Sequence, residues 1–258
     1  MNMFLWGLIA LAAFAIAITL YLFFEEAVDR LIIKLHGGIP KGFIIFIIGT
    51  NGVGKTTIAN KLSKKIGFNS VVETDDLREC LRSREDLFEC SSKSDEYELL
   101  KASSYLSDGI EVGDDEHRLI GYHGQCKIMT DIILAIVKRK QKNKHSAIFE
   151  GINIMPTQLV EKGIMSRYIL FVHLQVMPDK LLKKRLEMKT DDVSKLNEYQ
   201  SKINEIMKTS SIISDDFEKV KKISHSTRIH TITLINDKSD CRTTRKIVRK
   251  VRNILTEK

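Results

Sequence analysis

Cysteine is scarce in this chain and poorly spaced for a covalent or metal framework. Cys80, Cys90, Cys126 and Cys241 stand 10, 36 and 115 residues apart, which excludes both a metal-ligand motif and a dense disulfide scaffold and points to a reducing setting. Of the three prolines, Pro156 and Pro178 sit where a helix would start, and neither interrupts a strand. No Asp-x-x-Gly follows the glycine-rich segment near residue 50. Where an Asn-Lys-x-Asp guanine reader would stand, the chain has Leu234-Ile235-Asn236-Asp237-Lys238, which argues against a GTPase switch. Apolar residues at 43% of 258 exclude intrinsic disorder for the whole and leave enough for a substantial core.

Charge is absent from Met3 to Phe24, 22 residues that at about 1.5 Å each would cover a bilayer core of roughly 30 Å. Trp6 and Tyr21 near its ends suit bilayer interfaces. The segment therefore predicts one transmembrane helix over residues 1–24, contacting lipid through residues 3–24, then a juxtamembrane linker over 25–42 and a body over 43–258. Lys and Arg in the flank place that body on the cytosolic side of a single-pass membrane protein. A competing reading joins Ala27–Leu35 to the first helix as a hydrophobic hairpin within the fold. The formal charge of +8 is local: seven basic residues against Glu257 alone put +6 of it in residues 242–258. Such a stripe is weak grounds for nucleic acid; it reads as a solvated helix face or a contact for anionic lipid.

Phe43–Ile48 is a continuous β-branched and aromatic run, as in a strand buried on both faces. It leads directly into Gly49-Thr50-Asn51-Gly52-Val53-Gly54-Lys55-Thr56-Thr57, which satisfies G-x-x-x-x-G-K-[ST], and then into helical spacing at Ile58, Leu62 and Ile66 with Gly67 as stop. Strand, loop and helix occur in the order a phosphate-binding loop requires. Glycines let backbone N–H groups turn inward, Lys55 reaches the β and γ oxygens of ATP, Thr56 ligates Mg2+, and Thr57 is placed for the α-phosphate.

A second strand, Ser70–Glu73, ends in Thr74-Asp75-Asp76 and opens a helix with Arg78 and Arg82 one turn apart. Acid at that strand end can orient an acceptor hydroxyl, and the two guanidinium groups can converge on its anion; alternatively Asp75 caps the helix and the arginines are solvated. Ile120–Val137 reads as a helix and Ala147–Phe149 as a third strand ending in Glu150, a carboxylate placed to hold a metal-bound water. Strands are also predicted over Tyr168–Leu174 and Ile229–Ile235, with Asn236 at the nucleotide end of the last. The helix after Pro178 carries Lys183, Lys184, Arg185 and Lys189, either a basic lid over the transferred phosphoryl group or a solvated face.

The ordered segments GTNGVGKTT, TDDLRECLRS, LKASSYLS, EGINIMP, LLKKRLEMK and LNEYQSKINEI resemble the motifs of the archaeal 2-phosphoglycerate kinase family of P-loop kinases, from about Phe43 onward. Zeta-toxin-like kinases share the loop and the acid after the second strand. The resemblance implies ATP as donor, Mg2+, catalytic roles for Lys55, Asp75 and Arg185, and an acceptor pocket lined by Arg78, Arg82, Ser103, Ser104, Tyr105 and Glu150. Family members convert 2-phosphoglycerate to 2,3-bisphosphoglycerate. The chain departs from the family at Leu182 and Asn153, where histidines are usual, and after Arg185, where only Lys189 and Lys195 follow.

The expectation is an α/β, three-layer P-loop kinase domain with a mostly parallel five-stranded sheet behind one transmembrane helix. Its function would be a membrane-tethered kinase for a small phosphorylated or carboxylated acceptor. The alternatives are a nucleotide-sugar or polynucleotide kinase, and a catalytically silent ATP-binding membrane adaptor.

Overall fold

The computed structural model of the chain describes residues 2–35, 37–83, 115–177, 184, 196–237 and 239–257. Its centre is β1 (Ile44–Ile48), every residue of which is buried. Alternate side chains point to opposite faces of a strand, and here both faces are covered. Ile44, Phe46 and Ile48 enter one apolar cluster and Ile45 and Ile47 the other, so the run needs no polar alternation. In chain order the strands are β1, β2 (Val71–Glu73), β3 (Ala147–Gly151), β4 (Ile169–Gln175) and β5 (His230–Ile235). They pair in the order β2-β3-β1-β4-β5, and every pairing is parallel.

The helices sort onto the two faces. α1 (Asn2–Leu35) precedes the sheet, α2 (Lys55–Ile66) follows the phosphate loop, α3 (Thr74–Arg82) follows β2 and α4 (Asp115–Lys142) leads into β3. After β3 come α5 (Pro156–Glu161), α6 (Leu196–Thr227) and α7 (Asp240–Thr256). α2 and α7 cover one face with Ile58, Leu62, Ile247 and Val251. Across the sheet, α4, α5 and α6 supply Met129, Ile133, Leu159 and Phe217. Phe46 stacks on Phe171 at 4.8 Å and meets Phe149 at 5.3 Å, an aromatic row across three strands worth about 1 kcal/mol per pair beyond the area buried. A three-layer α/β domain with five parallel strands is what the sequence predicts, and each strand lies within two residues of its expected limits.

The N-terminal expectation is corrected. Among the described residues no helix is long and apolar enough to cross a membrane, which removes the basis for a transmembrane helix over 1–24, for lipid contact through 3–24 and for a single-pass membrane location. α1 does not stop at residue 24 but runs to Leu35, so much of the stretch read as a linker is helical. That last part belongs to the domain: Asp29 is buried and accepts from Arg252 Nη1 of α7 at 2.5 Å, and Ile33 packs on the second cluster. Arg252 is thereby taken out of the basic stripe and spent inside the fold.

Candidate active site

Because all five strands run the same way, their C-terminal ends share one edge, where loops can bring side chains together. β1 delivers the phosphate loop there. Gly54 is the N-cap of α2 in a left-handed conformation, φ 91°, with no side chain capping the first turn, so the N–H groups of that turn stay open to an anion. A Cβ on Gly54 would lie 2.8 Å from Asn236 Nδ2, so only glycine fits. Lys55 is 7% exposed and its Nζ donates to Thr50 O at 3.1 Å, folding over the loop. Thr50 Oγ1 is buried without a partner.

β3 runs beside β1 and places Glu150 opposite Ile47. Thr56 Oγ1 donates to Glu150 Oε1 at 2.6 Å, joining residues 94 apart in sequence. Glu150 is 3% exposed. Burial pushes its carboxyl above the usual range, while the Thr56 hydroxyl and the Lys55 charge pull it back down. β2, next to β3, ends at Glu73, and α3 begins at once with Thr74 and Asp75. Gly151 makes this approach possible, since a Cβ there would collide with Thr74. Asp75 is not a capping residue: the N-cap is Glu73, without a side-chain cap bond, and Asp75 Oδ1 is buried with no hydrogen-bond partner. Lys55, Thr56, Asp75 and Glu150, with Glu73 and Asp240, line one cavity of about 480 Å³.

Other expected site residues fall differently. Asn236, expected to contact nucleotide, is fully buried and spent on the protein. Its Nδ2 donates to Val53 O at 2.9 Å and to Asp240 Oδ1 at 3.3 Å, and its Oδ1 accepts from Thr243 Oγ1 at 2.9 Å. It braces the loop from behind. Arg82 is ion-paired with Glu79 at 2.7 Å, Arg78 Nη2 lies 3.9 Å from the same carboxylate, and neither lines the cavity. The two arginines therefore converge on Glu79, because i, i+4 neighbours on α3 flank the i, i+1 and i, i+3 acid. Arg185, Ser103, Ser104 and Tyr105 lie outside the described residues. Glu73 and Asp240 were not singled out in the sequence. Glu73 was legible as the last residue of β2, whereas nothing local to Asp240 marks it as a neighbour of the loop.

No protein-family model matches the chain. It is 29% identical over 163 residues to a 2-phosphoglycerate kinase of Methanococcus vannielii, covering 60% of this chain and 48% of that one. It is 32% identical over 149 residues to a 2-phosphoglycerate kinase of Pyrococcus horikoshii, 56% of this chain and 46% of that one. Over these stretches the chain is similar to archaeal 2-phosphoglycerate kinases. It spans about half the length of the curated relatives it matches. Among solved structures, shikimate kinase from Acinetobacter baumannii in complex with shikimate aligns over 86% of this chain and 96% of its own, at 15% identity and a TM-score of 0.41.

The residues at the cavity fit a magnesium nucleotide. Thr56 Oγ1 and Glu150 Oε1 are hard oxygen donors already within 2.6 Å of each other, and a buried carboxylate with raised proton affinity is one that a divalent cation would satisfy. The open first turn of α2 and Lys55 supply the positive potential that phosphates need.

Proposed function

We propose that the chain is an ATP-dependent P-loop kinase that transfers the γ-phosphoryl group to a small anionic acceptor, with 2-phosphoglycerate the leading candidate. The observation carrying this reading is the meeting of Lys55, the Thr56–Glu150 pair and the unpartnered carboxylate of Asp75 in one cavity at the carboxyl edge of β1, β2 and β3. Bound Mg2+ would neutralise charge on the β- and γ-phosphates, held by Thr56 and by Glu150 directly or through water. The loop N–H groups and Lys55 bind the phosphates and hold the γ group in place. Asp75 Oδ1, with no internal donor to satisfy it, accepts the hydrogen bond of the acceptor hydroxyl and takes its proton as the new P–O bond forms and the bond to the β-phosphate oxygen breaks. Arg185 remains the candidate for stabilising the transferring group from the lid, and Ser103, Ser104 and Tyr105 for lining the acceptor pocket. Arg78 and Arg82 stand at Glu79 and outside the cavity lining, and would have to turn from it to hold the acceptor's anion.

The choice of 2-phosphoglycerate rests on the matched relatives, while Asn153 and Leu182 are the positions where acceptor recognition would differ. The test is ATP consumption by the purified full chain with 2-phosphoglycerate, other phosphorylated acids and nucleotide sugars offered in turn. Acceptor-dependent turnover that Lys55→Ala and Asp75→Asn each abolish is the expected result. Turnover equal in wild type and Lys55→Ala would end the kinase reading.

A further inference from the structure

The parallel sheet has a second edge, at the N-terminal ends of its strands and facing away from the phosphate loop. There, between the start of β5, the end of α6 and the C-terminal half of α7, lies a cavity of about 740 Å³, larger than the one at the loop. Its walls carry Arg167, Lys221, Arg228, His230 and Lys250 against the single carboxylate of Glu257. Lys221 is paired outside the cavity with Glu218 at 3.1 Å, and His230 Nδ1 stands 3.8 Å from Glu257. Among the described residues no carboxylate lies within ion-pair distance of Arg167, Arg228 or Lys250. Arg167 and Arg228 are exposed, and the Arg167 guanidinium covers the Tyr168 ring at 5.0 Å; three cations thus line one concavity with no carboxylate of their own, an arrangement that favours the entry of an anion.

The backbone adds an independent observation. Arg228 directly follows α6 and has φ 56°, the left-handed position at which helices commonly end in glycine. Among the described residues only one other non-glycine residue has positive φ, Lys144, also 56°. Lys144 lines a second hollow on the same sheet edge, of about 590 Å³, with Lys41, Lys140 and His145. Both left-handed positions that a glycine would fill without strain are held by cations, and both cations face this edge.

We propose that the cavity lined by Arg167, Arg228 and Lys250 binds a multiply charged oxyanion of the phosphate class, at a site separate from the nucleotide loop. Two guanidinium forks can each take two phosphate oxygens, and the Lys250 ammonium adds a point charge. Free pyrophosphate and the phosphate groups of a larger metabolite share this chemistry. The bound anion would tie β5, α6 and α7 together, which makes it an effector or stabilising ligand and not an acceptor for a reaction at the opposite edge.

The test is calorimetric titration of the full chain carrying Lys55→Ala, which weakens the phosphate loop's own hold on anions, with inorganic pyrophosphate and separately with fructose 1,6-bisphosphate. Saturable one-to-one binding of either ligand is expected, and their relative affinity identifies the source. Adding Arg228→Gly should weaken binding about tenfold without lowering the unliganded melting temperature, since glycine relieves the left-handed backbone. Arg167→Gln should weaken it similarly. No binding in the Lys55→Ala chain, or binding that neither further substitution weakens, would overturn the proposal.

Discussion

Asn236→Ala is expected to damage the phosphate loop from a position that touches no ligand. The side chain is fully buried and hydrogen-bonds to Val53 O at 2.9 Å, to Asp240 Oδ1 at 3.3 Å and from Thr243 Oγ1 at 2.9 Å. Truncation leaves the Val53 carbonyl without this donor in a site too enclosed for a replacement, a penalty of about 1–3 kcal/mol. The Thr243 hydroxyl is less harmed, because Ser239 O lies 3.3 Å away as an alternative acceptor. Asp240 keeps Lys61 at 2.8 Å. Adding about 1 kcal/mol for the space left behind, the loss should be about 3 kcal/mol. Equilibrium urea unfolding followed by circular dichroism measures it. The same brace restrains Gly54 in its left-handed conformation, so ATP affinity by calorimetry should fall about tenfold in parallel. Asn236→Asp retains the acceptor for Thr243 but loses the donor to Val53 and sets a second carboxylate beside Asp240. It should therefore be worse than alanine above neutral pH. A loss under about 1 kcal/mol with unchanged ATP affinity would refute the brace.

His173 on β4 is 2% exposed, lies 5.2 Å from the Phe217 ring, and is lowered by burial to about 4. The unfolded chain protonates this group near 6.5 and the folded chain does not, so stability should fall as pH drops from about 6.5 to about 4, by about 3 kcal/mol at the lower limit. His173→Gln should flatten that slope in urea unfolding at stepped pH, and parallel slopes for the two proteins would contradict the assignment. Gly151→Ala should destabilise by about 2 kcal/mol through overpacking against Thr74 and lower turnover by shifting the neighbouring Asp75. Thr74→Ala in the same chain should recover part of both losses, and additive effects in the double mutant would disprove the contact.

The sequence determined most of what is contiguous. A glycine-rich loop between a strand and a helix is built from neighbouring residues, so its phosphate-binding geometry is a local property, and Gly49–Thr57 could be read directly. The unbroken apolar run of β1 likewise announced a strand covered on both faces, and the strand–helix alternation announced the parallel sheet. Local reading misled where side chains had long-range partners. Arg252 counts as surface charge in sequence, yet it meets Asp29 across 223 residues. The uncharged run after Met3 suggested a span of hydrocarbon because composition says nothing of how α1 continues and docks.

Only the tertiary structure decided which polar groups face each other. Thr56 and Glu150 are joined because β3 happens to be the neighbour of β1 in register. Asn236 reaches Val53 across 183 residues because β5 ends behind the loop. Arg167, Arg228 and Lys250 share a cavity because the chain passes the same sheet edge three times. Strand order is set by the packing of whole faces, with no residue-by-residue code for it. Pairings that depend on strand order therefore become visible only once the sheet is assembled.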